Sequence, residues 1–188
     1  DVCPKRKIRN YIEAIKEGVP GYRIYIKDDV PLAHHDQEAC AHFGIEDIKK
    51  IKKDNPEIDK KIRDFMCSNF FDIRTFGAVM TTFVQGALNC GQVRGPVQLG
   101  FARSIDPILP QEITITRTAI TTVQAAQAQK TTMGRKFIVP YALYKVEGYV
   151  SANLARKVTG FSEEDLELLW RGILSMFELD HSAARGNM

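Results

Sequence analysis

The sequence lacks any apolar run of the roughly 20 residues that a membrane-crossing helix requires. Its four cysteines, Cys3, Cys40, Cys67 and Cys90, are widely spaced, and no two form a C-x-x-C pair. The opening, DVCPKRKIRNY, is charged at once where a secretory leader would be apolar. The cysteines are therefore expected to be reduced thiols, mostly packing residues, in a cytoplasmic protein. Histidine is scarce as well: His34, His35, His42 and His181. Cys40-x-His42 is not a metal-ligand spacing and no second pair accompanies it, so no metal site and no cofactor are expected. G-x-S-x-G, a phosphate loop and H-E-x-x-H are all absent, which removes three common enzyme classes. Net charge is only +3 from 26 basic and 23 acidic residues, so the placement of charge has to carry the argument.

What is present suits an α+β protein of one domain, with 44% hydrophobic residues among 188. Asp1 reads as the N-cap of a first helix whose apolar face is Ile8, Tyr11, Ile12 and Ile15, ended by EGVPG. YRIYIK (Tyr22 to Lys27) alternates and reads as a short strand. Helices are expected over about 34–43 and 45–53, and a third after Asn55-Pro56 with Ile58, Ile62, Phe65 and Met66 on one face. FFDIRTFGAVMTT is dense in aromatics and reads as a buried junction. Strands follow at Gln92 to Ser104, Glu112 to Thr122 and Phe137 to Val150. The stretch VQAAQAQKTTMGRK between the last two has no core face and reads as a projecting loop or hairpin tip. Ser162 and Asp165 resemble a capping box. They open a helix with Leu166, Leu169, Trp170, Ile173 and Phe177 at helical spacing, expected to dock on a sheet.

Three sets of residues stand out as binding chemistry. In the first helix Lys5, Arg9 and Lys16 fall in one narrow stripe beside the apolar face, with Arg6 and Lys7 widening it. Such a stripe can lie on phosphates while its helix stays docked; the plain alternative is a solvated face partnered by Glu13 and Glu17. In the strand Gln92 to Ser104, Val93, Val97, Leu99 and Phe101 point one way. Arg94 and Gln98 occupy the other face among glycines, and Arg103 leaves the same strand near its end. That face lets a nucleic acid approach the backbone and has no aromatic to stack a base. In the loop, Lys130, Arg135 and Lys136 accompany Thr131, Thr132 and Met133: charge for phosphate, hydroxyls to donate, an apolar wedge for stacked bases. The alternative is an ordinary mobile tip. The lysines between Lys49 and Lys61 alternate with acids and read as solvated surface. Asp72 and Arg74 read as an ion pair, structural more readily than catalytic.

KRKIRNY, DIRTFG, VRGPVQLGFARSIDPI, TITRTAITT, MGRKFIVPYALY and DHSAARG, in that order, resemble the backbone subunit of the type I-C (Csd) Cascade. This is the seventh CRISPR-associated protein, of the RAMP superfamily. The resemblance implies a modified RRM, ferredoxin-like palm from about 1–33 and 92–188. It also implies a helical insertion over 34–91 and a β-hairpin thumb near 113–137. It implies a non-catalytic subunit in antiviral defence that polymerises head-to-tail along a crRNA guide. Its partners would be that guide, the target DNA paired to it, other copies and other Cascade subunits. The RNA-binding residues would be Lys5, Arg6, Arg9, Lys16, Arg94, Gln98, Arg103, Lys130, Thr132, Met133, Arg135 and Lys136. The family's first strand would precede Asp1 and further strands would follow DHSAARG, so the domain is expected to be incomplete. The alternative is an RNA endonuclease of the same superfamily using Asp72 or His35.

Overall fold

The computed structural model describes residues 2–45, 57–80, 90–117 and 132–179. Asp1, the Asn55-Pro56 helix start, Lys130 and nearly all of the expected 45–53 helix lie outside them. The chain divides into two compact units, 1–100 with 148–188, and 101–147.

The first unit holds α1 (Val2–Ile15), α2 (Leu32–His42), α3 (Ile58–Asn69) and α4 (Phe71–Phe76). It also holds β1 (Gly77–Val79), β2 (Gln92–Arg94) and β3 (Val97–Leu99). Two core clusters fill it. One gathers Ile58, Ile62 and Met66 of α3 around Phe70 and Tyr25; the other gathers Ile8 and Ile12 of α1 with Phe71, Val97, Leu168 and Leu169. The α3 face is the one its periodicity predicts. On α1 Ile15 is exposed, because the helix ends there and its last turn runs off the core.

YRIYIK does not form the expected strand; only Arg23 bridges to Phe70. The reason is local. The backbone N–H groups of Tyr25 and Ile26 donate to the buried Asp72 carboxylate, at 2.9 and 3.1 Å, instead of to a neighbouring strand. FFDIRTFG is the buried junction its aromatics suggest. Asp72 and Arg74 are not each other's partners, however. Arg74 forms a two-pronged pair with Asp165 (Nε–Oδ2 and Nη2–Oδ1, both 2.8 Å) and donates through Nη1 to the carbonyls of Gly21 and Cys67.

Gln92 to Ser104 breaks into three short strands with three different partners. β2 pairs with β1, and β3 pairs with β8 (Gly148–Val150). Pro96 between them has no N–H to donate, and its carbonyl accepts from Ser151. Beyond Gly100 lies β4 (Arg103–Ser104), in the second unit. Phe101 is therefore not on the apolar face with Val93 and Val97: it lies outside the strands and is 81% exposed. At Gly77 (φ +80°) and Gly95 two backbones cross so closely that a Cβ on Gly95 would sit 2.2 Å from the Phe76 carbonyl carbon.

After β8 come α5 (Ala152–Leu154), a π-turn (Ala155–Thr159) and α6 (Glu163–Leu179). The capping box forms as expected: Ser162 Oγ accepts from Asp165 N, and Asp165 Oδ2 accepts from Ser162 N. The buried face of α6 is rotated from the expected one. Leu168, Leu169, Gly172 and Met176 are buried, while Trp170 points outward. α6 packs chiefly on α1, not on a sheet. Gly172 faces α1, where a Cβ would meet Tyr11, Ile8 and Ile12 at ordinary contact distance.

The second unit holds β4 paired with β7 (Tyr144–Lys145), and a hairpin of β5 (Gln111–Arg117) and β6 (Thr132–Ile138). Register runs from Gln111↔Ile138 to Arg117↔Thr132. The described strands thus form four two-stranded antiparallel sheets, within an α+β architecture. Residues 132–136, expected in a loop tip, are in the ladder.

Candidate nucleic-acid interface

Helical spacing puts Lys5 and Arg9 one turn apart on α1, and the fold places Phe76 beneath both. The Lys5 ammonium lies 5.7 Å and the Arg9 guanidinium 5.5 Å from the centre of that ring. Partial burial, and then the Arg9 charge, hold the Lys5 pKa below its ordinary value. Arg9 is anchored from behind: its Nε donates to Asp72 Oδ2 at 3.0 Å, and Asp72 is 1% exposed. Arg6 is exposed next to them. Lys16 sits with its ammonium 5.0 Å from the Tyr22 ring. Lys7 does not widen the stripe, because it is buried with its ammonium 5.3 Å from the Phe177 ring. Nor does Glu13 partner the stripe through the bond described here: it pairs with Lys27.

Arg94 and Gln98 are exposed on β2 and β3, on the side opposite buried Val93 and Val97. Gln98 spends one amide hydrogen on the Gly95 carbonyl at 3.0 Å, which leaves the side chain held close to the backbone. Arg103 is exposed on β4 of the second unit.

On the hairpin, strand alternation puts Met133, Arg135 and Phe137 on one face with Glu112 and Thr114, and Lys136 on the other with Ile113. Met133 is 71% exposed; Arg135 is exposed and pairs with Glu112 (3.2 Å). Both faces of the hairpin are open to solvent although Ile113, Ile115, Met133 and Phe137 are apolar. A two-stranded hairpin with no covered face is marginal alone. Thr132 is in β6 opposite Arg117.

Of the two residues named for the catalytic alternative, Asp72 is engaged by three donors and His35 at Nδ1 alone, its buried Nε2 having no hydrogen-bond partner among the described residues. Asp72 accepts from Arg9, Tyr25 and Ile26. His35 is buried, with Nδ1 3.3 Å from Arg23 Nη2. His34, His35 and Glu38 bring three ligand-type atoms within 4.8 Å of one another. The Arg23 guanidinium already fills that corner, bonding both Glu38 oxygens at 2.6 Å, so the cluster is an arginine–carboxylate clamp. Sequence reasoning missed Phe76 as the platform under the cations. Its position in DIRTFG, one turn from the buried Asp72, was the available signal.

The geometry defines an α+β protein whose distinctive groups lie on exposed helix and strand faces. The family model described as CRISPR-associated protein Cas7 matches residues 1–188. The chain belongs to that family, and so to the backbone subunits of CRISPR Cascade-type complexes, which serve antiviral defence. The family implies a crRNA-binding member of a multi-subunit effector, and its members are generally non-catalytic. Comparison with curated protein sequences gives no match. Among the described residues no helix is long and apolar enough to cross a membrane.

Proposed function

We propose that this chain is a non-catalytic, cytoplasmic backbone subunit of a type I-C (Csd) Cascade that grips the phosphates of the crRNA guide and polymerises head-to-tail along it. The observation that carries the reading is the pair Lys5 and Arg9 crowded over one aromatic ring, with Arg6 exposed beside them. Asp72 holds Arg9 from behind, and the positive field of Arg6 with Lys5 and Arg9 attracts an anionic strand in front of them, which the guide phosphates supply. Arg94 and Gln98 offer a further contact beside exposed Tyr149, which lies opposite Gln98 on β8, and Arg103 offers one on the second unit; phosphate gripping suits a guide whose sequence varies while base pairing to target DNA supplies specificity. The hairpin is the thumb, with Met133 and Arg135 on one face as wedge and phosphate contact; Lys130, Thr132 and Lys136 would serve the same strand.

Fluorescence anisotropy with two RNAs of unrelated sequence tests this. Lys5→Glu combined with Arg6→Glu should weaken both RNAs by the same factor, roughly tenfold or more. A loss confined to one RNA, or none, overturns the phosphate reading.

A further inference from the structure

The outward face of α6 is unlike the surfaces described above. We infer that it is a docking seam for a basic amphipathic helix of a partner protein. The opposite face of α6 is buried through Leu168, Leu169, Gly172 and Met176. On the outward face Glu163, Glu167, Trp170, Leu174 and Glu178 follow one another at spacings of three and four residues. At 100° per residue they keep within a strip about 80° wide. That is the spacing by which one helix packs along another.

The centre of the strip is apolar and open: Trp170 is 53% and Leu174 79% exposed. Tryptophan is the side chain most enriched at energetic centres of interfaces. Its flanks are acidic. The exposed charges of α6 are Glu163, Glu164, Glu167 and Glu178 against Arg171 alone, and Arg171 is paired with Glu167.

This charge selects the occupant. A phosphate backbone and an anionic headgroup are repelled by it. Two copies of the strip laid face to face would set glutamates against glutamates at its two ends, a like-charge contact that costs several kcal/mol where it is desolvated. A helix with an apolar middle and Lys or Arg at both flanks is complementary in shape and in sign.

Trp170 is the only tryptophan in the sequence, so its emission reports on this face alone. The full chain is titrated with a synthetic Leu/Lys amphipathic helix, with a Leu/Glu helix of the same apolar face, and is separately concentrated without peptide. The basic helix should give a saturable blue shift and protection from acrylamide quenching, at least tenfold tighter than the acidic one. Leu174→Glu should abolish the response. The double variant Glu163→Lys, Glu178→Lys should bind the basic helix more weakly and the acidic helix more tightly, and it gives the same answer if Leu174→Glu proves unstable. Equal protection by both peptides, protection by neither, or an emission change on concentration alone overturns the inference; the last names a second copy as the occupant.

Discussion

Arg9 and Asp72, 63 residues apart, are joined by a 3.0 Å bond from the arginine Nε to a carboxylate that solvent scarcely reaches. The same carboxylate accepts the N–H groups of Tyr25 and Ile26. One side chain therefore fixes three things: the orientation of α1, the path of the YRIYIK segment, and the direction of the Arg9 guanidinium over Phe76. Arg9 is a structural residue first and a contact residue second. Arg6 is the more exposed of the neighbouring cations.

Asp72→Asn is expected to destabilise the fold by about 3–5 kcal/mol, the cost of leaving a buried partner charge uncompensated. Urea unfolding of the variant against the parent measures it. A loss below about 1 kcal/mol would mean that the Arg9–Asp72 bond contributes little and that Arg9 is held by other contacts.

Acid should weaken the protein before the carboxylates themselves protonate. Burial, and then the Arg23 charge, hold His35 below its ordinary value of 6.5. The folded protein keeps the imidazole neutral while the unfolded chain takes up a proton as pH falls through that value. The unfolded state binds more protons there, so stability declines as pH drops below about 6.5. Glu38, held below its ordinary 4.5 by the Arg23 bonds, adds a further loss in the same direction at lower pH. Urea midpoints at pH 7.5 and 5.5 should differ less in His35→Gln than in the parent. An equal difference would assign the acid sensitivity elsewhere.

Two glycines separate packing from flexibility. A methyl on Gly95 would meet Phe76 C, Gly77 N and Thr75 O at 2.2, 2.3 and 2.6 Å, all backbone atoms that cannot swing away. Gly95→Ala should cost about 3 kcal/mol or more. A methyl on Gly134 of the hairpin meets nothing within 4 Å, and Gly134→Ala should stay within about 0.5 kcal/mol. Thermal unfolding of both distinguishes the crossing of β1 and β2 from an ordinary surface position; a tolerant Gly95 would contradict the close approach.

Where the sequence could be read, one local rule governed. The α3 face, the apolar residues Ile8 and Ile12, and the Ser162–Asp165 box depend on helical periodicity and on neighbours three or four residues away, all visible in the chain itself. Where it misled, a distant partner took over. YRIYIK alternates like a strand, but Asp72 captures its amides from 46 and 47 positions along the chain. Gln92 to Ser104 alternates as one strand, yet Pro96 and Gly100 divide it among three partners. The capping residue Asp165 also pairs with Arg74, 91 residues away, which its local pattern does not announce. The helical spacing of Leu166, Leu169, Trp170, Ile173 and Phe177 puts Trp170 inward, but the face that packs on α1 is rotated, and Gly172 turns toward α1 in its place.

For the candidate interface the residue types were legible and their partners were not. The stripe Lys5, Arg9 and Lys16, widened by Arg6, could be named from spacing. That Arg9 is anchored, that Lys7 is buried, and that Phe76 underlies the pair follow only from the fold. The resemblance implies a projecting hairpin near 113–137, but the exposure of Ile113 and Ile115 is not legible, since isoleucines in a strand normally signal burial.

The central claim, that cations of α1 hold a phosphate backbone without reading bases, is tested most directly by the salt dependence of RNA affinity. The logarithm of the association constant is plotted against the logarithm of salt concentration for the parent and for Lys5→Glu with Arg6→Glu. Each lost phosphate contact to single-stranded RNA removes about 0.7 from the slope, so the variant line should be shallower by about 1.4 and equally so for unrelated RNAs. Parallel lines, with affinity lost or unchanged, would contradict the account.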